Sequence, residues 1–268
     1  MTKLSYCETT ADQKEEASQI KTKFKVMSYN VFCFHGINEQ LAVQRKIMDK
    51  NNAAVIGLQE LSTSRHINAV GQAALADYPY KCLSVHSAVL GIASKYPLRI
   101  RQICDFRHQD PEDMRQFGQT RAYMMADMDI GGKTVTLINA HLCFLTKSVK
   151  YEQMRELLDV ARGRERVIIT GDFNCFMVSP GDAEYVAMYK PFVDAGFQLA
   201  NCADKITKTW TDKKSPRSLA DFTYPTDNII TSPDVRIRKV YYDKTKLAHP
   251  NGRDDMDHIP MIALVEIK

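Results

Sequence analysis

Val167-Ile168-Ile169-Thr170-Gly171-Asp172-Phe173-Asn174 is the stretch on which the reading of the fold turns. Four β-branched residues in a row, Val167 to Thr170, read as a buried strand, and Gly171 reads as its abrupt end. An acid and an amide follow on the loop. Asp172 and Asn174 are two apart, so persisting extended geometry would send both side chains from one face, a carboxylate beside a neutral donor and acceptor suited to handling water. Gly-Asp with a following Asn is also ordinary turn chemistry, so the flanking chain has to decide between the two readings.

Upstream, Met154, Leu157, Leu158 and Ala161 fall at helical spacing and predict an amphipathic helix from Ser148 to Arg162, stopped by Gly163. The octet therefore closes a helix-to-strand unit. Before that helix, Arg121 to Ile130 and Thr134 to Leu142 flank Gly131-Gly132, a two-residue hairpin turn. The second arm carries Asn139 and His141 on one face, where a lone histidine would more often be a hydrogen-bonded core residue.

The same theme runs through the rest of the chain. Phe24 to Val31 reads as a strand with Asn30 at its tip, and Asn38 to Asn51 as a surface helix capped by Asn38. Ala53 to Leu58 is a short apolar run, a strand covered on both faces, ending in Gln59-Glu60 before a helix over residues 64 to 76. Taken alone, Asn30 is a turn residue and Glu60 an acid opening a helix. Lys81 to Val85, Ala88 to Ala93 and Leu98 to Ile103 suggest meandering antiparallel strands, and residues 105 to 118 an exposed loop. Asp182 to Phe192 looks helical, with Val186 and Tyr189 on one face. Thr207 to Thr211, Phe222 to Thr231 (containing Asp227), Val235 to Tyr242 and Ile259 to Ile267 read as strands, the last preceded by the polar loop Asp254 to His258.

The chain has 268 residues, 44% hydrophobic and 25% charged, with a net charge of +4. That is a soluble globular composition, compatible with a polyanionic partner without the charge of an obligate nucleic-acid binder. Seven scattered cysteines without a C-x-x-C predict reduced thiols and a cytoplasmic protein. No apolar run suggests an integral membrane segment or an export signal, although a trimmed signal or anchor would leave no trace. Residues 1 to 23 read as a flexible arm and 24 to 268 as a single domain, expected to be a monomer.

Strand-associated acids, amides and histidines gathered at one sheet edge would form an acid-rich pocket that is costly without a cation, and oxygen ligands without a cysteine cluster favour Mg2+ or Mn2+. In order, Ser28-Tyr-Asn-Val31, Gln59-Glu60, Asn139-Ala-His-Leu142, Gly171-Asp-Phe-Asn174, Thr226-Asp-Asn-Ile229 and Asp257-His258 resemble the motifs of the endonuclease/exonuclease/phosphatase superfamily. The resemblance spans residues 24 to 267. It implies a four-layer αββα sandwich of two mostly antiparallel sheets with helices outside, and one site at their common edge. By the same resemblance Glu60 binds the metal with Asn30 and Asp257 nearby. Asp172 orients or deprotonates water, and Asn174 holds the phosphate or that water. His258, held by Asp227, and His141 contact the non-bridging oxygens, with Asn139 alongside. Met256 and Asn228 stand where the family usually has Ser and an aromatic, and Phe32 where some nucleases carry a further acid.

The implied activity is divalent-metal-dependent hydrolysis of a phosphodiester, with DNA or RNA as the expected substrate. Lys205, Lys208, Lys213, Lys214 and Arg217 offer a basic cluster between the Asp172 and Asp227 motifs, although such a run is commonly a solvated loop. Trp210-Thr211-Asp212-Lys213 lacks the final Arg of the inositol-phosphatase signature. A sphingomyelinase-like phospholipid phosphodiesterase or a small-molecule phosphatase is the alternative within the class, and a catalytically silent phosphate-binding protein the alternative outside it.

Overall fold

The computed structural model describes residues 6–9, 23–32, 37–61, 64–84, 89–176, 181–202, 208–209, 224–243, 245 and 257–268. Numbered in chain order, one sheet holds β1 (Tyr6–Thr9), β2 (Lys23–Asn30), β3 (Val55–Gln59), β4 (Tyr80–Leu83), β5 (Gly91–Ser94), β12 (Val235–Tyr242) and β13 (Met261–Ile267), in the order β1-β4-β5-β3-β2-β13-β12. The other holds β6 (Leu98–Asp105), β7 (Ala122–Ile130), β8 (Lys133–His141), β9 (Val167–Asp172), β10 (Gln198–Leu199) and β11 (Asp227–Thr231), in the order β10-β11-β9-β8-β7-β6. Among the described residues each sheet has one parallel pair, β2 with β3 and β8 with β9, and all other neighbours are antiparallel. Helix α1 (Ile37–Asn51) crosses over between the first parallel pair and α4 (Lys147–Ala161) between the second. Parallel neighbours need such crossovers, and ligands collect outside the carboxyl ends of the strands they join.

Period-2 alternation sorts the apolar side chains into three layers. Val26, Val55, Leu137, Ile168, Ile229 and Ala263 pack between the sheets. Met27, Tyr29, Ile56 and Leu58 face outward from the first sheet against Ile47 and Met48 of α1. Ile138, Val167 and Ile169 face outward from the second against Met154 and Leu157 of α4. This is the expected αββα sandwich. Further outer segments are α2 (Ser64–Ala69), which runs into a π-helical turn at Val70–Ala74, and α5 (Ala183–Met188) with α6 (Lys190–Asp194).

The layer between the sheets changes character along the strands. On the inward faces Val26 gives way to Ser28 and Asn30, Val55 to Gly57 and Gln59, Leu137 to Asn139 and His141, and Ile168 to Thr170 and Asp172, all buried. One end of the interior is hydrocarbon and the other is polar. At the boundary the sheets are tied by side chains: Asn139 Nδ2 donates to Leu58 O (2.7 Å) and Gly91 O (2.9 Å), while its Oδ1 accepts from Gln59 Nε2 (2.6 Å) and Thr170 Oγ1 (3.0 Å). Gly57 permits this approach, because a Cβ there would lie 2.0 Å from Thr170 Oγ1 and 2.7 Å from Asn139 Oδ1.

Several local expectations change. Residues 105–118 are not all loop: Asp110 caps α3 (Pro111–Phe117) by accepting from Glu112 N, Pro111 opens it, and Gly118 closes it at φ +67°. The meander breaks at Ser94, since β4 and β5 pair in one sheet and β6 joins the other. The strand after α4 runs through Gly171 to Asp172. Pro191 restarts the predicted 182–192 helix as two short ones, which leaves Val186 44% exposed while Tyr189 is fully buried. Within the arm, Tyr6–Thr9 pairs with Tyr80–Leu83. Of the strand expected at 207–211 only residues 208 and 209 are described, with Thr209 N donating to Tyr224 O at 2.9 Å. Lys205, Lys213, Lys214, Arg217, Trp210 and Met256 lie outside the described residues. Cys82, Cys104, Cys143, Cys175 and Cys202 are thiols, none of them in a disulfide, and among the described residues no helix is long and apolar enough to cross a membrane.

Candidate active site

At the polar end, register alone aligns three side chains of the second sheet. His141 on β8 lies opposite Asp172 on β9, and Asp172 opposite Asp227 on β11. Adjacent strands are about 4.8 Å apart, and side chains on one face of such a row meet. The first sheet supplies Asn30 from the end of β2 and Glu60 from the residue after β3. Glu60 sits at φ +61°, a left-handed conformation that costs an L-residue on the order of 1 kcal/mol.

Asn30 joins the two halves. Its Nδ2 donates to Glu60 Oε1 at 2.9 Å and to Asp172 Oδ2 at 3.0 Å, while its Oδ1 accepts from Phe32 N at 3.0 Å. The residue expected to help hold a metal thus serves the carboxylates through its amide nitrogen. Asp172 Oδ1 accepts from Asn174 N at 3.0 Å, a side-chain-closed turn that puts Asn174 at φ +50°. Asn174 therefore does not continue the strand, and its own Nδ2 donates to Leu142 O at 2.9 Å.

Two histidines flank Asp172 Oδ2, His258 Nε2 at 3.5 Å and His141 Nε2 at 3.6 Å, and Glu60 Oε1 lies 3.7 Å from His141 Nε2. Their charge states differ. Burial pulls the His258 imidazole down, but Asp227, Asp257 and Asp172 together push it up to about 10, and Asp227 Oδ2 bonds its Nδ1 at 2.9 Å. His141 is driven well below the ordinary histidine range by burial and by the positive charges of Arg121 and His258, so it stands neutral. Thr226 Oγ1 also donates to Asp227 Oδ2 at 3.2 Å. Asp257 Oδ1 approaches His258 Nε2 at 4.0 Å.

The acids are correspondingly destabilised as anions. Burial, then the nearby Asp257 charge, raises the Glu60 carboxyl to about 7, against relief from Asn30, His258 and Arg121. Burial raises Asp172 to about 6, with His258 opposing and Asp227 reinforcing the rise. Glu60, His141 and Asp172 bring one ligand atom each within 4.8 Å of one another, as do Asp172, Asp227 and His258. The first of these groups opens to the surface through Glu60, whose side chain is 21% exposed. A carboxylate-rich cluster carrying more negative charge than its own cations offset is a donor set that fits a hard divalent ion.

Asn139 is the expected site residue that the structure places elsewhere. It is fully buried below His141, with both amide hydrogens and its oxygen occupied in the tie between sheets, so it supports the site without facing the cleft.

Neither the family models nor the curated proteins compared with the sequence give a match. Solved structures do. An endonuclease/exonuclease/phosphatase from Bacteroides vulgatus superposes with a TM-score of 0.70 at 16% identity, covering 92% of this chain and 100% of that one. The chain has the endonuclease/exonuclease/phosphatase fold. D. rerio TDP2, solved with a single-strand DNA product, gives a TM-score of 0.65 at 19% identity over 91% of this chain and 99% of that one. A mannosyl-6-phosphatase from Bacteroides thetaiotaomicron gives 0.63 at 15% identity over 90% and 99%.

Arg121 was absent from the sequence-based set. It is 2% exposed, ion-paired through Nε with fully buried Asp113 of α3, and its Nη1 lies 2.8 Å from His141 Nε2. Asp113 Oδ1 accepts from Phe144 N at 3.0 Å and Leu145 N at 3.3 Å, fixing the segment after His141. The Asp-Pro opening and Gly118 of α3 were the available signals for this element, and nothing in the pattern marked Arg121 as more than the first residue of a strand.

Proposed function

We propose that the protein is a divalent-metal-dependent phosphodiesterase that cleaves its substrate by in-line attack of water, with nucleic acid, DNA or RNA, as the substrate. The observation that carries this reading is the convergence on Asp172 of Asn30, His141 and His258 from separate strands and loops, with Glu60 beside them at the mouth. In this reading Asp172 accepts the proton of the attacking water, a task suited to a carboxyl held near 6. His258, kept cationic by Asp227, donates through Nε2 to a non-bridging oxygen as charge develops there. Neutral His141 shares the Asp172 side of the cleft with the Arg121 cation, whose Nη1 lies 2.8 Å from His141 Nε2, and the pair offers a second hydrogen-bonding group on the same phosphoryl face. Glu60, with Asp257 and Asp172 nearby, would hold Mg2+ or Mn2+, which when bound supplies Lewis-acid neutralisation of the phosphoryl oxygens. Asn174 shapes the turn after Asp172 and keeps that carboxylate oriented.

The choice of nucleic acid is supported by the likeness to TDP2 with its single-strand DNA product and by the mildly basic chain. The mannosyl-6-phosphatase neighbour makes a phosphomonoester the second substrate to try. The test is a Mg2+- or Mn2+-supplemented panel of plasmid, abasic duplex, single strand, sphingomyelin, a sugar phosphate and a bis-aryl phosphate, each with an EDTA control. Metal-dependent cleavage of a nucleic acid is expected. Cleavage of sphingomyelin or the sugar phosphate alone would overturn the substrate, and turnover indifferent to chelator would overturn the metal.

A further inference from the structure

Lys150 is a lysine with no exposed surface, on the buried side of α4. A fully buried ammonium is expensive unless paired and hydrogen-bonded, so its partners show what it is for. They are the backbone carbonyl of Asn174, to which Nζ donates, the carboxylate of Glu184 on α5 at 3.2 Å, and the ring of Phe176, whose centroid lies 4.8 Å away. Glu184, itself 4% exposed, accepts from Phe176 N at 3.1 Å through its other oxygen. Two helices thus grip the segment from Asn174 to Phe176, just past the strand that carries Asp172, one at a carbonyl and the other at an amide. Asn174 is the left-handed residue whose own N–H orients Asp172 Oδ1.

We propose that Lys150 is a positioning residue: through the Asn174 carbonyl, with Glu184 as its counter-charge, it holds the 172–176 turn in the one geometry that aims the Asp172 carboxylate at the attacking water. Its distance from the reacting atoms makes the effect indirect, transmitted along one short piece of backbone. The kinetic part of this inference rests on the phosphodiesterase reading above, whereas the conformational part does not.

The experiment separates positioning from stability. Lys150→Met leaves Glu184 buried without a counter-charge and is expected to lower both Tm and kcat. In Lys150→Met/Glu184→Gln a neutral pair replaces the ion pair while the Gln oxygen can still accept from Phe176 N, so that only the Lys150 grip on the turn is removed. Its Tm is expected to return toward wild type while kcat on a bis-aryl phosphate stays at least ~10-fold down with KM unchanged, a 1 Å misplacement being enough for losses of that order. Glu184→Gln, which keeps the Lys150 bond to Asn174, is expected to lose Tm yet retain kcat. Amide exchange at Asn174, whose acceptor is Asp172 and neither member of the pair, should accelerate in both Lys150 variants and not in Glu184→Gln. A double variant with wild-type kcat and wild-type Asn174 protection, or kcat falling in step with Tm across all three variants, would overturn the proposal. If the wild type cleaves no diester, the Asn174 exchange rates decide alone.

Discussion

His258 gives a stability measurement that probes the site without a substrate. Its folded-state imidazole is pushed up to about 10, against 6.5 for an unperturbed histidine. A raised histidine contributes stability that is fully present below the unfolded value and is lost as pH climbs toward the folded one. Between pH 7 and 8.5 the folded state keeps a proton that the unfolded chain has largely released, so unfolding free energy should fall by about 1.4 kcal/mol per pH unit, roughly 2 kcal/mol in all. Glu60, raised to about 7, adds a small tail of the same sign at the lower end. His141 and His66, both lowered by burial, act in the opposite direction, but only as pH falls through 6.5, below this window. For a chain of this size about 2 kcal/mol corresponds to some ~4–8 °C in Tm. The assay is thermal and urea melts of chelator-treated protein at pH 7.0, 7.5, 8.0 and 8.5, in parallel with Asp227→Asn. That variant removes the largest charge raising His258 and should flatten most of the slope. A wild-type curve level across the window, or an Asp227→Asn curve as steep as wild type, would refute the ion pair at the heart of the site.

Other outcomes follow from the same geometry. Asp172→Asn should lower kcat by roughly 10²- to 10⁴-fold while thermal melts show the fold retained, because it removes the proton acceptor and keeps the shape. Mg2+ should stabilise the protein more at pH 7.5 than at pH 5.5 in scanning calorimetry, since the Glu60 carboxyl, raised to about 7, and the Asp172 carboxyl, raised to about 6, must shed protons to hold a cation. Equal shifts at the two pH values would argue against these ligands. Asp227→Asn should move the basic limb of the pH–kcat profile toward lower pH, because His258 loses its charge earlier. Gly57→Ala should cost about 3 kcal/mol in urea unfolding, as its Cβ meets Thr170 Oγ1 at 2.0 Å, and Thr170→Ala in the same chain should return part of that loss.

Most of the site could be read from sequence because its residues sit at or just past strand ends, and strand ends are marked by a change from apolar to polar letters. Asn30, Glu60 and Asp172 announce themselves in that way, whereas His141 was read from its face of a hairpin arm and Asp227 from the middle of the expected 222–231 strand. What a single strand cannot reveal is depth. Asn139 shares a face with His141, yet two residues back along a strand is about 6.8 Å further into the protein, enough to turn a cleft residue into a tie between sheets. Asn174 shows the converse limit, since its backbone N–H donates to the Asp172 side chain and bends the chain out of the extended form on which a shared face depended. Arg121 and Asp113 were hidden because their meeting requires α3, a seven-residue helix without an apolar repeat, to fold back on the start of β7. The break between α5 and α6 was visible in Pro191, whose effect on Val186 could be judged only once the core had a direction.

Gln59, Asn139 and Thr170 have a consequence beyond holding the sheets together. Backbone ladders fix distances within each sheet, whereas the gap between sheets at this level is set by the thickness of a few side chains laid across it. Asn30 and Glu60 belong to one slab and His141, Asp172 and Asp227 to the other, so these amides and one hydroxyl act as a shim under the jaws of a vice. A substitution there, remote from the converging carboxylates and histidines, would reset the span the jaws can close upon and so alter which ligands fit, leaving every chemical group in place.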